Sequence, residues 1–160
     1  LKIMRKNAII LRTSWVYSEY GNNFVDTILK LLKSNTSLNV VSDQIGSPTY
    51  ALDLAKVIIK IIGSNQFFEN EKTSSIYHYS NDGECSWFDF AREIANISKI
   101  SKPIIPVKSD DFPSVALRPK YTVLAKKKIY QDYDLQINFW KDSLNKCIKN
   151  IENLSAEINN

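Results

Sequence analysis

The sequence predicts an α/β protein that supplies part of a doubly wound parallel sheet. Residues 8–11 are a short, continuous apolar run, the kind a strand shows when both faces of its sheet are covered. Runs of this type alternate with segments of helical period along the whole chain. Two or three such strands accompany four helices. A closed doubly wound domain needs about five strands. The chain therefore reads as one portion of such a domain.

The elements follow in order. The strand over residues 8–11 closes on Arg12, Thr13 and Ser14. Asn22 or Asn23 can cap the helix after it, since an Asn side chain accepts hydrogen bonds from the first free amides. Phe24, Ile28, Leu31 and Leu32 then fall on one helical face. Residues 38–41 form a second short strand, and Gly46 and Pro48 punctuate a turn-rich segment over residues 42–49. A helix over about residues 50–62 stops at Gly63. Residues 75–79 are a strand. Ser86 caps the next helix, with Asp89 at the capping-box position and Trp87, Phe90, Ile94 and Ile97 on its apolar face. Residues 104–107, bracketed by Pro103 and Pro106, are another strand. A proline-containing loop over residues 110–119 leads to a short helical piece near residues 123–129, and a helix over about residues 138–158 closes the chain. No internal repeat or low-complexity linker interrupts this order.

An apolar content of 44% and a charged content of 24% are those of a globular protein. The net charge of +4 is mild, and acidic residues are scattered among the basic ones. No basic face for nucleic acid is indicated, and Lys126, Lys127 and Lys128 are expected to form a solvated helix end. Cys85 and Cys147 lack C-x-x-C spacing, which argues against a zinc site or a disulfide framework and suits a cytoplasmic protein. Lys60 breaks the longest apolar stretch, residues 57–62, far short of a membrane span. The chain opens on Leu1 and reaches an apolar strand after seven residues, the abrupt start expected of a trimmed piece.

Several kinds of chemistry are missing from the pattern. There is no G-x-G-x-x-G or G-x-x-x-x-G-K loop to cradle phosphates. His78 is the single histidine, so no carboxylate–histidine metal set arises, and no metal ligand is assigned. None of the eight tyrosines is followed four residues later by lysine, and no catalytic residue is assigned. What remains sits at element ends. The run from Arg12 to Tyr17 lies at the carboxyl end of the first strand, where ligands of open parallel sheets bind. Trp15 offers a flat apolar face for a sugar ring, although core packing fits its spacing equally well. The hydroxyls of Thr13 and Ser14 can bond an amide or a hydroxyl. Residues 43–49 are rich in hydrogen-bonding groups and turn formers. Arg118, beside Pro119, suits a phosphate clamp because a guanidinium grips two oxygens in a fork, though a surface arginine is the commoner role.

Together these segments resemble the dTDP-4-dehydrorhamnose reductases of the extended short-chain dehydrogenase/reductase superfamily. The resemblance is carried by Ile10-Leu11-Arg12-Thr13-Ser14-Trp15-Val16-Tyr17, by Gly21-Asn22-Asn23-Phe24, and by Asp43-Gln44-Ile45-Gly46-Ser47-Pro48-Thr49-Tyr50. Ile76-Tyr77-His78, Gly83-Glu84-Cys85-Ser86-Trp87-Phe88-Asp89-Phe90-Ala91 and Arg118-Pro119 continue it in order. Ser18 departs from a glycine frequent in the family, which concerns a turn and not a ligand.

The resemblance implies the C-terminal part of a Rossmann-like fold carrying a small substrate-binding α/β subdomain. Residues of about 8–17 and 50–80 would be the remnant of the Rossmann sheet and its helix. Residues of about 18–49 and 81–160 would form the sugar-nucleotide-binding subdomain. Family members reduce the 4-keto group of a dTDP-deoxysugar with NADPH or NADH, giving dTDP-L-rhamnose. Their tyrosine–lysine proton-donor pair and glycine-rich loop precede the segment matched here, so residues 1–160 are expected to be an inactive C-terminal fragment. Thr13 and Ser14 would lie near the nicotinamide end of the cofactor, and Trp15 would face the deoxysugar. Asn23, Gln44 and Ser47 would help enclose the nucleotide diphosphate, and Arg118 would contact the pyrophosphate. The alternative is a non-catalytic, dinucleotide-binding regulatory subunit of the same fold. With its upstream strands absent, the first strand is expected either to pair two copies into a homodimer or to leave residues 1–11 mobile.

Overall fold

A computed structural model of the chain describes residues 8–65, 67, 75–111 and 118–158. Residues 1–7, and residues 112–117 of the loop expected over 110–119, lie outside them.

The first strand is β1 (Ile9–Arg12). Its partner is β6 (Ser75–His78), parallel, with Ile9 opposite Ser75 and Arg12 opposite His78. Between them come β2 (Val16–Tyr17), α1 (Phe24–Ser34), β3 (Leu38–Val41), β4 (Ile45–Gly46), β5 (Thr49–Tyr50) and α2 (Ala51–Ile62). After β6 follow β7 (Cys85–Ser86), α3 (Trp87–Ile97), β8 (Ile104–Val107), a single 3-10 turn at Ser109–Asp111, α4 (Lys127–Tyr133) and α5 (Trp140–Ile158).

The strands form four separate pairs. β2–β5 and β3–β8 are parallel, like β1–β6, whereas β4–β7 is antiparallel. Three strands of the α/β reading are therefore present, and a fourth, β8, gives β3 its partner. The two-residue strands β2, β4, β5 and β7 are additional. They are too short to carry a hydrophobic period, and only their tertiary pairing makes them strands.

Side-chain caps explain where α1 and α3 start. Asn23 Oδ1 accepts from the amides of Val25 and Asp26 at the head of α1. Ser86 and Asp89 form a full capping box at the head of α3, so Asp serves there as Glu would. The helical piece expected near residues 123–129 is displaced to Lys127–Tyr133. Its end is set by Asp134, which takes a left-handed φ of 45° and donates its amide to Tyr130 O. The last helix begins at Trp140, after an extended pairing between Asp82 and Phe139 holds residue 139 out of it.

Burial divides into two apolar clusters. One joins α1, α3 and α5 through Ile28, Leu32, Phe90, Ile94, Leu144 and Ile148. The other packs α2 and α4 onto β6 through Val57, Ile61, Tyr77, Tyr79, Ile129 and Tyr133. Cys85 and Cys147 are buried free thiols in the first cluster, and burial pushes both up to about 12. They carry no nucleophilic thiolate at neutral pH.

Candidate functional site

The polar run after β1 meets the turn-rich segment that precedes α2. Thr13 Oγ1 donates to Thr49 Oγ1 at 3.1 Å, and Ser14 Oγ donates to Ser47 O at 2.8 Å. The backbone repeats the connection, with the Thr49 amide donating to Trp15 O at 3.1 Å. Ser47 is fully buried, and its hydroxyl donates to Gly83 O at 2.7 Å, linking a third segment from the end of β6. Thr13, Ser14 and Ser47 are thus gathered around one strand end.

Trp15 is half-buried and stacks on Trp87, with ring centroids 3.6 Å apart and planes inclined by 15°. Phe24 leans on the other indole at 4.5 Å, joining the pair to the first apolar cluster. A Cβ at Gly46 would stand 2.6 Å from Cε2 and Cζ2 of Trp15, so glycine is what lets β4 approach that ring. Trp15 itself has a φ of 47°, a left-handed conformation uncommon for a bulky residue and frequent at functional sites. Packing and an unusual backbone therefore coexist at this residue.

The other candidates are placed differently. Asn23 is committed locally: beyond the cap, its Nδ2 donates to Ser18 O at 2.8 Å. Gln44 Nε2 donates to Ser109 Oγ at 2.9 Å, and the neighbouring Asp43 accepts from both the Ser109 amide and hydroxyl. The Ser109 hydroxyl holds the Asp43 carboxyl below its usual range. Arg118 is exposed. Its segment is tied to the Gln44 loop two residues later, where the Ile45 amide donates to Lys120 O and the Thr122 amide donates to Ile45 O.

Several contributors carried no sequence signal. Trp87 reads in sequence as the apolar face of α3, and Asn81 as one polar residue in a polar run. Asp53 stands inside an apolar helix yet is only 5% exposed. Its burial was not legible because its partners, Asn81, Ser143 and Asn138, come from distant segments.

The chain has one lysine–tyrosine pair four residues apart, Lys126 and Tyr130, in the order opposite to the donor motif. Lys126 Nζ and the Tyr130 hydroxyl both donate to Asp82. Burial first, then the Asp82 bond, push the Tyr130 phenol up, which is the wrong direction for a proton donor near neutrality. Among the described residues no group of histidine, cysteine or carboxylate side chains is arranged to hold a metal. No described helix is long and apolar enough to cross a membrane.

A parallel strand pair with polar and aromatic residues at its carboxyl end, flanked by helices, defines the C-terminal part of a Rossmann-like, extended short-chain dehydrogenase/reductase fold. The chain belongs to the family described as the RmlD substrate binding domain, which matches residues 2–153. It is 38% identical over 149 residues to the spore coat polysaccharide biosynthesis protein SpsK of Bacillus subtilis, covering 93% of this chain and 50% of that protein. It is 39% identical over 150 residues to a dTDP-4-dehydrorhamnose reductase of Aggregatibacter actinomycetemcomitans, covering 90% and 51%. The crystal structure of dTDP-4-dehydrorhamnose reductase from Bacillus anthracis in complex with NADP superposes with a TM-score of 0.83 at 37% identity, over 93% of this chain and 50% of that one. A UDP-glucuronic acid 4-epimerase from Bacillus cereus, at 18% identity and a TM-score of 0.71, shares the fold alone. The chain spans about half the length of the curated relatives it matches.

Proposed function

We propose that this chain is the sugar-nucleotide-binding half of an NAD(P)H-dependent reductase that converts dTDP-4-dehydro-L-rhamnose to dTDP-L-rhamnose. The observation that carries this reading is the gathering of Thr13, Ser14, Trp15 and Ser47 at the carboxyl end of β1, in a chain of the RmlD family. Ligands of open parallel sheets bind in the crevice beyond such strand ends. The apolar clusters group β1, β6 and α2 apart from α1, α3 and α5, but they cross the expected boundaries: α4 packs with β6 and α2, while Tyr17 and Tyr50 join the other cluster.

In this reading Trp15 presents its ring edge and remaining exposed surface to the deoxysugar. Thr13 and Ser14 border the nicotinamide end of the cofactor, with hydroxyls already oriented by Thr49 and the Ser47 carbonyl. Gln44 and Ser47 shape the wall around the diphosphate, and exposed Arg118 grips its oxygens. Asn23 contributes through the cap of α1, which sets the segment leading away from Trp15. The nicotinamide, when bound, supplies the hydride. These residues bind, orient and exclude water, and none of them is placed to donate the proton.

Titration calorimetry of this chain with dTDP-L-rhamnose tests the binding role, with saturable binding expected. In a second arm, the chain mixed with the 4-keto sugar nucleotide and NADPH is expected to leave the nicotinamide absorbance unchanged. Turnover above a heat-killed control would place the chemistry within these residues and overturn the division of labour.

A further inference from the structure

Asn81 is fully buried, three residues beyond the end of β6, and every polar atom it carries is engaged. Its amide donates to Pro48 O at 3.2 Å, and its Oδ1 accepts from the Tyr50 amide at 2.7 Å. These two bonds straddle Thr49, holding the segment as a neighbouring strand would. Thr49 is the residue that accepts from Thr13 Oγ1 and donates to Trp15 O. A shift of residues 48–50 therefore displaces Thr13 and Trp15, and reaches Ser14 through the adjoining Ser47 carbonyl.

The orientation of the Asn81 amide is not free. Its Nδ2 donates to Asp53 Oδ2 and to Ser143 Oγ, each at 2.9 Å, and Ser143 Oγ in turn donates to Asp53 Oδ2. Asn138 Nδ2 supplies the other Asp53 oxygen at 3.3 Å. A carboxylate can only accept, so the Asn81 nitrogen must face Asp53 and its oxygen must face Tyr50. The 5% exposed carboxylate also requires these donors, because a buried charge without them is costly. Lys126 Nζ closes the set by donating to Asn81 O at 2.9 Å.

We propose that Asn81, oriented by Asp53 and Ser143, is a positioning residue of the sugar-nucleotide site: it fixes the residue 48–50 backbone on which Thr13 and Trp15 are hung, and through the adjoining Ser47 carbonyl it sets Ser14. The inference rests on the ligand reading given above. It differs from a stability role because the held segment is the one that orients the candidate ligand-binding residues.

The test exchanges the two side chains. Asn81→Asp keeps an acceptor for the Tyr50 amide but replaces the donor facing Asp53 with a second carboxylate oxygen. Asp53→Asn combined with Asn81→Asp restores one amide and one carboxylate with their roles reversed. Calorimetry with dTDP-L-rhamnose and hydrogen exchange at the Tyr50 amide are measured on each folded chain. Asn81→Asp should weaken binding by about fivefold or more, the scale of coupling within one hydrogen-bond network. The double substitution should return affinity to within about twofold of the parent chain and re-protect the Tyr50 amide. If Asn81→Asp does not fold, Ser143→Ala, which removes one partner of the Asn81 nitrogen, is compared with the double substitution in its place and should weaken binding in the same direction. Unchanged affinity in a folded single variant, or a loss the exchange does not recover, overturns the positioning role and leaves the ligand reading intact. Failure of the parent chain to bind dTDP-L-rhamnose overturns the ligand reading instead.

Discussion

The indole of Trp15, at the end of the first strand, lies flat on the indole of Trp87, the first residue of α3. That stack joins the strand end to the helical core, and it makes the candidate sugar platform a shared product of two distant segments. Trp15→Ala, in a full-length reductase carrying these residues, should lower kcat/KM about tenfold, equivalent to about 1.4 kcal/mol. Trp87→Ala should abolish the exciton couplet of the pair in circular dichroism. Gly46→Ala should strain the same ring and cost about 1–3 kcal/mol, as overpacking does. Unchanged kinetics in Trp15→Ala with a large loss of thermal stability would make Trp15 a core residue only.

Arg118 is exposed, at the edge of a segment tied to β4. Arg118→Ala should weaken binding of the dTDP-sugar by about 2 kcal/mol, the loss of a charge-assisted fork. Arg118→Lys should not restore it, because an ammonium lacks the planar fork. Full affinity in the lysine variant, measured by calorimetry, would exclude bidentate recognition.

Asn23 has its side chain committed to the head of α1. Asn23→Ala should destabilise the chain by about 1 kcal/mol, the usual loss for an N-cap. Affinity for dTDP-L-rhamnose should change little in the folded variant, since both polar atoms of the Asn23 side chain are engaged by its own segment. A large affinity loss without a change in melting temperature would instead put Asn23 against the ligand.

Asp43 is held below the usual carboxylate range, first by the Ser109 hydroxyl. A depressed folded-state pKa means that the link favours folding at pH above the unfolded value, about 3.9, and is lost as pH falls through the folded value. Protection of the Ser109 amide, which donates to Asp43 Oδ1, should therefore fall as the solution is acidified below about pH 4. Asp43→Asn should flatten that dependence. An amide equally protected at both ends of the range would show that the link does not hold the turn.

Among the described residues β1 pairs only with β6, which leaves its other edge open. On α2, Ile59 is 70% exposed and Ile62 50% exposed. An unpaired strand edge and exposed apolar side chains each favour association. Light scattering should find the chain self-associating, or hydrogen exchange should find the Ile9 and Leu11 amides, which face away from β6, fast. A monomer with both amides strongly protected would mean that the strand finds its cover within these residues.

Sequence by itself determined the α/β class, the strands β1, β3, β6 and β8, and the helices whose caps are local. Asn23 and Ser86 announce α1 and α3 because a cap and its acceptors lie within three residues of each other. It also brought Thr13, Ser14, Trp15 and Ser47 forward, through motif order and their place after a strand. Tertiary structure alone decided the pairing of the two-residue strands, the start of α4, the Trp15–Trp87 stack and the Asp53–Asn81–Ser143 network. The physical reason is range: periodicity and capping are written in neighbouring residues, whereas a buried carboxylate or a stacked ring is defined by whatever distant segment folding brings against it.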